Sequence, residues 1–474
     1  MTLPDLVAQA DARASATAVV TASRRVARSD LLAEADRWSG EVARAVPAGE
    51  AVAVRLQDPV TFIAAALGTW LAGCPLVPVG PERRPAEIAD VMRESGARLL
   101  VTDLERAELS APEHVRVVRR AAAGAGRSRP RAPEDPALLL YTSGSTGAAK
   151  CVVFSHLAMV RNVRALIEAA ELDAADRLMT PLAPALTTAM ATCVLPALAL
   201  GAPMVLPGRF LPLQTVGMLR DEEVTFFLGV PYVYHLLAEL PRERLALPAL
   251  RLLVTNSAPM PAAVAEAVEG RLGLLPRSNY CSSEAGGITY NRAGDRRLLL
   301  ESVGTALPGV RVRVVDAEDR PLAAGEEGRI VVESDMLASG YLGRPDLTAE
   351  VFRAPGCAWT DDLGVVDADG YVRVTGRMSD IVNIAGHLVN PAQVEAVLAE
   401  HPAVAEALVQ VESDPRAGQR LSALVVLAGH VDPAGLRDYC FDRLAGHSVP
   451  RRIEIVSSLP RTELGKVRRT RPAP

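Results

Sequence analysis

Apolar positions recur with two different periods along the first 130 residues. LLAEADRWSGEVARAV (31–46), Thr61–Ala72 and a segment ending at Ser95 have helical spacing, whereas AVAVRL, PLVPV and ARLLVTD are short apolar runs. Alternating helices and strands predict a layered α/β sheet. The polar, proline-rich Ala123–Pro136 reads as a connection before the strand ALLLYT, and the alternation resumes from His156 to about Tyr290. From Glu301 to Thr375 the texture changes. Short strands (VRVRVVDA, EGRIVVES, GYVRVTG) lie between Gly, Pro and Asp turns and predict a small β-rich subdomain. After Gly376-Arg377 the order becomes helix, strand, strand, helix, strand, which predicts a compact α+β module. The expected fold is α/β: a large layered N-terminal domain (1–376) containing the β-rich subdomain, and a small α+β domain (377–474). There is no internal repeat or low-complexity tract.

Pro181–Gly208 runs 28 residues without a charge. Pro184, Pro196, Pro203 and Pro207 interrupt it, so a buried helix plus strand is expected and no membrane span. The N-terminus carries acidic residues and no apolar core, unlike a signal or transit peptide.

With 474 residues, 49% hydrophobic and 23% charged, the chain can bury a large core; disorder, collagen and disulfide scaffolds are excluded. Six cysteines form no CxxC pair and match no histidine spacing, which argues against zinc and for a reducing, cytoplasmic setting. The net charge of −5 hides an asymmetry: from Leu436 onward there are nine basic and four acidic residues. That tail is either a solvated face or a surface for something anionic. Its aromatics, Tyr439 and Phe441, stand near its start and none lies among the basic residues from Arg451 on, so nucleic acid is not expected.

Of the 51 basic residues only Lys150 and Lys466 are lysine. A chain so biased toward arginine that keeps two lysines beside glycines points to sites that need a compact ammonium and not a planar fork. Lys150 closes YTSGSTGAAK (141–150), a loop between two apolar segments. Its glycines let backbone N–H groups face an anion, the hydroxyls of Thr142, Ser143, Ser145 and Thr146 add donors, and Lys150 adds charge. Walker A spacing is absent, because Lys150 follows Gly147 by three and precedes Cys151.

That loop resembles the YTSGSTGxPK signature of the adenylate-forming enzymes, which include acyl- and aryl-CoA synthetases, luciferase and the adenylation domains of peptide synthetases. Ala149 replaces the proline. Other segments match in the family's order. SNYCSSE (278–284) resembles YGxTE. The resemblance implies that Tyr280 stacks adenine, Ser283 meets the α-phosphate and Glu284 holds Mg²⁺, with Cys281 where a glycine is usual. TNSAPMP (255–261) resembles the adenine-edge loop GGAP, with Ser257 and Ala258 at its backbone positions. WTDDLG (359–364) is similar to YRTGDLG, implying that Asp362 accepts both ribose hydroxyls, with Asp361 in place of a glycine and Arg377 reaching ribose or phosphate. With Thr142, Ser143, Gly144, Ser145, Thr146, Gly147 and Lys150, these residues form the implied ATP site.

GRMSDIVNIAGHLVNPAQVE (376–395) resembles the family's hinge and the start of its mobile C-terminal domain. Ser379 stands at the pivot, where aspartate or lysine is usual, and Gly386 where a pantetheine arm passes. Leu388 replaces an arginine; His387 is either a general base or a surface or packing residue. LPRTELGK (459–466) resembles the C-terminal catalytic loop. It implies that Lys466 bridges the substrate carboxylate and the α-phosphate, lowering the repulsion between two anions.

PLAPALTTAM (181–190) aligns with the family's acyl site. Ala183, Pro184, Ala185 and Leu186 would line it, with Asn256 and Asn279 as polar contacts. No residue of that segment is charged, which disfavours a free α-amino acid and suggests an aryl or other apolar acid. The implied reaction is ATP- and Mg²⁺-dependent activation of a carboxylic acid to acyl-AMP, then thioester formation with CoA or a carrier protein's phosphopantetheine. The alternatives are transfer to an amine or other nucleophile, and a nucleotide-binding scaffold with reduced catalysis.

Overall fold

The computed structural model describes residues 1–10, 15–105, 115–121, 128, 129, 131–142, 150–240, 245–384, 387–414, 418–461 and 467. Ser143, Gly144, Ser145, Thr146, Gly147, Gly386 and Lys466 lie outside the described residues, as do the side chains of Thr142, His387 and Leu388.

Two large sheets carry the N-terminal part. One has nine strands, with Phe226–Gly229 and Leu178–Met179 at its middle and Leu252–Thr255 and Arg277–Ser282 following on one side. Those four strands are mutually parallel. The second has seven strands and places Lys150–Ser155 between Pro136–Thr142 and the short Gly340–Tyr341. One apolar core unites both sheets with the helices Pro59–Leu71, His156–Ala169 and Leu195–Leu200. The strands inside it are continuous apolar runs because both their faces are covered.

The uncharged stretch folds as expected. Thr187–Leu200 is helical, with a π-helical segment over Met190–Val194, and the strand Met204–Leu206 follows. Among the described residues no helix is long and apolar enough to cross a membrane. The β-rich region is a four-stranded antiparallel sheet of Val310–Val315, Glu327–Ser334, Cys357–Val366 and Val372–Arg377. The C-terminal part has its own core of Val394, Leu398, Leu421, Val425, Leu436 and Cys440, built on helix Pro391–Ala399 and a three-stranded sheet. Its opening hairpin, Val382–Ile384 with His387–Val389, has too few residues to show a period in the sequence.

Helix Arg28–Ala45 crosses Pro59–Leu71 at Gly68, where a Cβ would meet Trp38 Cβ at 2.5 Å and the Ala35 carbonyl at 2.6 Å. Backbone cannot swing aside, so overpacking outweighs the gain of up to ~1 kcal/mol that Gly→Ala brings to a helix. Gly68→Ala should therefore lower the urea midpoint, with a net loss of about 1–2 kcal/mol. An unchanged or raised midpoint would show that the two helices can separate freely.

His156 opens helix His156–Ala169, is 1% exposed, and its Nδ1 accepts the Leu3 N–H at 3.3 Å. Burial, with the nearby Arg131 charge, pushes its pKa down from 6.5 to about 4 against the pull of Asp135 and Asp5. The unfolded chain takes up the proton first. This contribution is whole above pH 6.5 and drains away as pH falls toward 4, about 3 kcal/mol in all. Urea midpoints should fall between about pH 7 and about pH 5, and His156→Phe should flatten that slope. A slope untouched by the substitution would assign the acid sensitivity elsewhere.

Candidate active site

In the nine-stranded sheet the chain order reverses between Leu178–Met179 and Phe226–Gly229, because Met204–Leu206 pairs on one side of the first and Phe226–Gly229 on the other. Crevices outside the carboxyl ends of parallel strands at such reversals receive ligands. The segments that leave those ends are Thr180–Leu186, Val230 onward, Asn256–Ala258 and Ser282–Glu284. The sequence-derived acyl and adenine segments thus leave the same end of this sheet.

Tyr280 lies in Arg277–Ser282, which forms an antiparallel hairpin with Gly286–Tyr290 and is bulged between Tyr280 and Cys281. Cys281 keeps a negative φ, so the bulge, and not a glycine conformation, accommodates the departure at that position. The Tyr280 hydroxyl donates to Asp362 Oδ2 at 2.6 Å. Arg377 Nε donates to Asp362 Oδ1 at 3.1 Å, across the register pair Asp362–Arg377. Asp362 is 7% exposed, and its backbone N–H donates to Thr360 Oγ1 at 3.1 Å. Burial, together with the Asp362 charge, pushes the Tyr280 pKa well above its ordinary value, so the phenol remains a donor.

Glu284 follows in the turn before Gly286. Gly286 has φ +67°, and a Cβ there would lie 2.4 Å from Asn162 Oδ1. The buried Asn162 amide fixes this turn. It accepts the Gly287 N–H at 2.7 Å and donates to the Met336 and Ala158 carbonyls. Glu284 Oε1 accepts the Tyr341 hydroxyl at 2.8 Å, and the Lys150 ammonium lies 5.6 Å from the centroid of the same ring. Ser283 is half-buried in this turn. Among the described residues no group of three or more His, Cys, Asp or Glu side chains could hold a metal ion by itself. A single carboxylate with one oxygen already occupied fits a magnesium ion carried mainly by nucleotide phosphates.

The loop that the resemblance assigns to the adenine edge carries side chains in place of glycines. Ser257 has φ +74°, a conformation that costs a side-chain-bearing residue about 1–2 kcal/mol. Its hydroxyl lies 2.7 Å from Thr188 Oγ1 and donates to Asn256 Oδ1 at 3.3 Å, while Asn256 Nδ2 donates to Thr192 Oγ1 at 3.3 Å. Ala258 is exposed beside them. Ala183 and Leu186 are half-buried, and Pro184 and Ala185 are buried, just ahead of the helix carrying Thr188 and Thr192. Asn279 is buried, with its amide donating to the Thr289 carbonyl at 3.0 Å inside the hairpin. The sequence reading missed Thr188, Thr192 and Tyr341. The π-helical turn at 190–194, a frequent mark of functional sites, emerges only in the folded chain.

Ser379 sits in the short 3₁₀ turn Met378–Asp380, and its N–H donates to Asp361 Oδ1 at 3.1 Å. The two departures from the family pattern at this point, Asp361 and Ser379, therefore contact each other. Farther along, Arg461 pairs with Glu406 and lies 5.9 Å from the ring centroid of Tyr232, on the helix that leaves the crevice-forming strand Phe226–Gly229. Arg461 lies five residues ahead of Lys466 in the chain.

Residues 6–342 match the AMP-binding enzyme family and residues 393–466 the AMP-binding enzyme C-terminal domain. A feruloyl-CoA synthase from Amycolatopsis sp is 33% identical over 94% of this chain and 91% of its own length. ATP-bound MatB from Rhodopseudomonas palustris superposes with a TM-score of 0.89 at 27% identity, over 98% of this chain and 97% of its own. The amide bond synthetase McbA from Marinactinospora thermotolerans superposes with a TM-score of 0.87 at 30% identity, over 98% of each chain. The chain belongs to the AMP-binding enzymes of the adenylate-forming superfamily.

Proposed function

We propose that the chain is an AMP-forming acid–thiol ligase that activates an aryl or other apolar carboxylic acid and passes the acyl group to the thiol of CoA or of a carrier protein's phosphopantetheine. The observation that carries this reading is the meeting of Tyr280, Asp362 and Arg377 with Glu284, Tyr341 and Lys150 around one turn, beside a crevice with an uncharged wall. The feruloyl-CoA synthase supports the acid class and the thiol.

In this reading the Tyr280 ring offers adenine a flat apolar face. Asp362 exchanges its Tyr280 and Arg377 partners, in whole or part, for the ribose hydroxyls. Ser257 and Ala258 edge the adenine, and Ser283 meets the α-phosphate. Residues 142–147 and Lys150 cradle the β- and γ-phosphates, and Glu284 would hold Mg²⁺. When bound, that ion neutralises phosphate charge. The carboxylate attacks the α-phosphorus, the bond to the bridging oxygen breaks, and pyrophosphate leaves. Lys466 reduces the repulsion between the two anions and stabilises charge in the transition state. The thiol then attacks the acyl carbonyl, with AMP leaving and the thiol proton lost. Ala183, Pro184, Ala185 and Leu186 pack the acyl body, and the network of Thr188, Ser257, Asn256 and Thr192 suits one hydrogen-bonding substituent on it; Asn279 supports that wall. All six cysteines are free thiols, in keeping with a cytoplasmic enzyme.

Residues 377–474 would turn at Ser379 between the two steps, withdrawing Lys466 and presenting Gly386 to the thiol. The Arg461–Tyr232 contact favours the adenylating arrangement for the conformation described here. So does the higher TM-score against ATP-bound MatB (0.89) than against apo MatB (0.82). McbA favours a second reading, the same adenylation with transfer to an amine.

Mass spectrometry of products from a carboxylic acid panel with ATP, alone, with CoA and with amines, distinguishes these acceptors. AMP and pyrophosphate are expected; ADP with an acyl phosphate would overturn the proposal. Lys466→Ala should lower pyrophosphate exchange on the order of 10²- to 10³-fold yet still convert supplied acyl-AMP to thioester, and Lys466→Arg should also be poor. Near-native exchange by Lys466→Arg would remove the ammonium from the first step.

The hinge is tested separately. Ser379→Pro removes the N–H that Asp361 holds and should slow the alternation of steps. Gly386→Trp should cut thioester yield while leaving pyrophosphate exchange intact, and equal loss of both would refute separate placements.

A further inference from the structure

Tyr341 is not among the site residues marked in the sequence, yet its side chain touches two of them. Its strand, Gly340–Tyr341, pairs antiparallel with the strand that begins at Lys150, setting Tyr341 opposite Val152. The surrounding backbone is fastened on both sides. The Ala338 N–H donates to the Glu284 carbonyl at 2.9 Å, and the Leu342 N–H to the Cys151 carbonyl at 2.8 Å. The Tyr341 N–H donates to Thr348 Oγ1 at 2.9 Å. Gly340 makes this approach possible: at φ +139°, any Cβ would lie 2.6 Å from Thr348 Cγ2. The ring is 7% exposed and packs edge-on to Phe352 at 6.4 Å. A residue so confined cannot relax toward or away from its neighbours.

We propose that Tyr341 is a positioning residue of the adenylation site: its ring seats the Lys150 ammonium and its hydroxyl fixes the Glu284 carboxylate, presenting Oε2 to the cation on the ATP phosphates. This rests on the reading of Lys150 and Glu284 given above. The chemistry of the donor matters. An arginine or lysine beside Glu284 would cancel part of the charge the cation needs, whereas a phenol orients the carboxylate and leaves its charge in place. The ring face is electron-rich and attracts an ammonium at the observed distance. One rigid side chain thereby sets the spacing between the cation of the phosphate loop and the carboxylate of the metal.

The test is equilibrium binding of ATP by calorimetry, with Mg²⁺ and with a chelator, for the wild type, Tyr341→Phe, Tyr341→Leu and Glu284→Gln. Tyr341→Phe removes only the hydroxyl and keeps the packing against Phe352. It should weaken binding with Mg²⁺ by about tenfold, the worth of one hydrogen bond to a charged group, and leave metal-free ATP within about twofold. Tyr341→Leu should in addition weaken metal-free ATP, because the Lys150 seat is lost. Glu284→Gln should erase the difference between the two conditions. Wild-type binding by Tyr341→Phe, with Glu284→Gln behaving as expected, overturns the positioning role alone. A metal effect that survives in Glu284→Gln overturns the metal role of Glu284, and the proposal with it. Should Tyr341→Leu fail to fold, Tyr341→Phe still decides the carboxylate half.

Discussion

The buried carboxylate of Asp362 is the point at which three parts of the molecule meet. It sits in the antiparallel sheet, accepts Tyr280 from the strand Arg277–Ser282 of the nine-stranded sheet, and accepts Arg377 from the last strand before the C-terminal module. A charge at 7% exposure is costly unless its lone pairs are used, and leaving such a group unpaired costs several kcal/mol. Two charge-assisted hydrogen bonds meet that demand and also tie the nine-stranded sheet to the antiparallel sheet and its last strand. The nucleotide reading has a simple consequence here. In the function proposed above, ribose hydroxyls would replace the partners of Asp362, so a bound nucleotide would loosen the contact to Arg377 while satisfying the same carboxylate.

A second constraint comes from the walls of the crevice. The segment from Pro181 to Leu186 has no hydrogen-bonding side chain, but one turn later Thr188 and Thr192 meet Ser257 and Asn256. The Asn256-Ser257 loop offsets its left-handed Ser257 with hydroxyl and amide contacts worth about 0.5–1.5 kcal/mol each. Strain held by a local network is a common feature of binding sites. The result is a surface that is apolar on one side and carries hydrogen-bonding groups on the other.

The departures from the family pattern are accommodated locally. Cys281 stands where glycine is usual, and the strand bulges there and keeps φ negative. Asp361 replaces another glycine, and its carboxylate caps the turn at Ser379, itself a departure. The Asp361–Ser379 contact cannot be read from the sequence, since the two residues are 18 positions apart and belong to different motifs.

The sequence by itself determined the α/β class, the helix at 187–200 in place of a membrane span, the antiparallel subdomain and the α+β end module. Each depends on periodicity, proline placement or turn residues, which are local properties. It also marked Glu284, Tyr280, Asp362 and Lys150 as candidates, because their motifs are contiguous. Only the tertiary structure brought Tyr341 to Glu284 and Lys150, joined Thr188 to Ser257, and assigned the Asn279 amide to the Thr289 carbonyl. Those contacts span from 10 to nearly 200 positions. They follow from strand order and from the reversal at Leu178–Met179, which are decided when sheets and helices choose the packing that buries the most apolar surface, a choice no local pattern encodes.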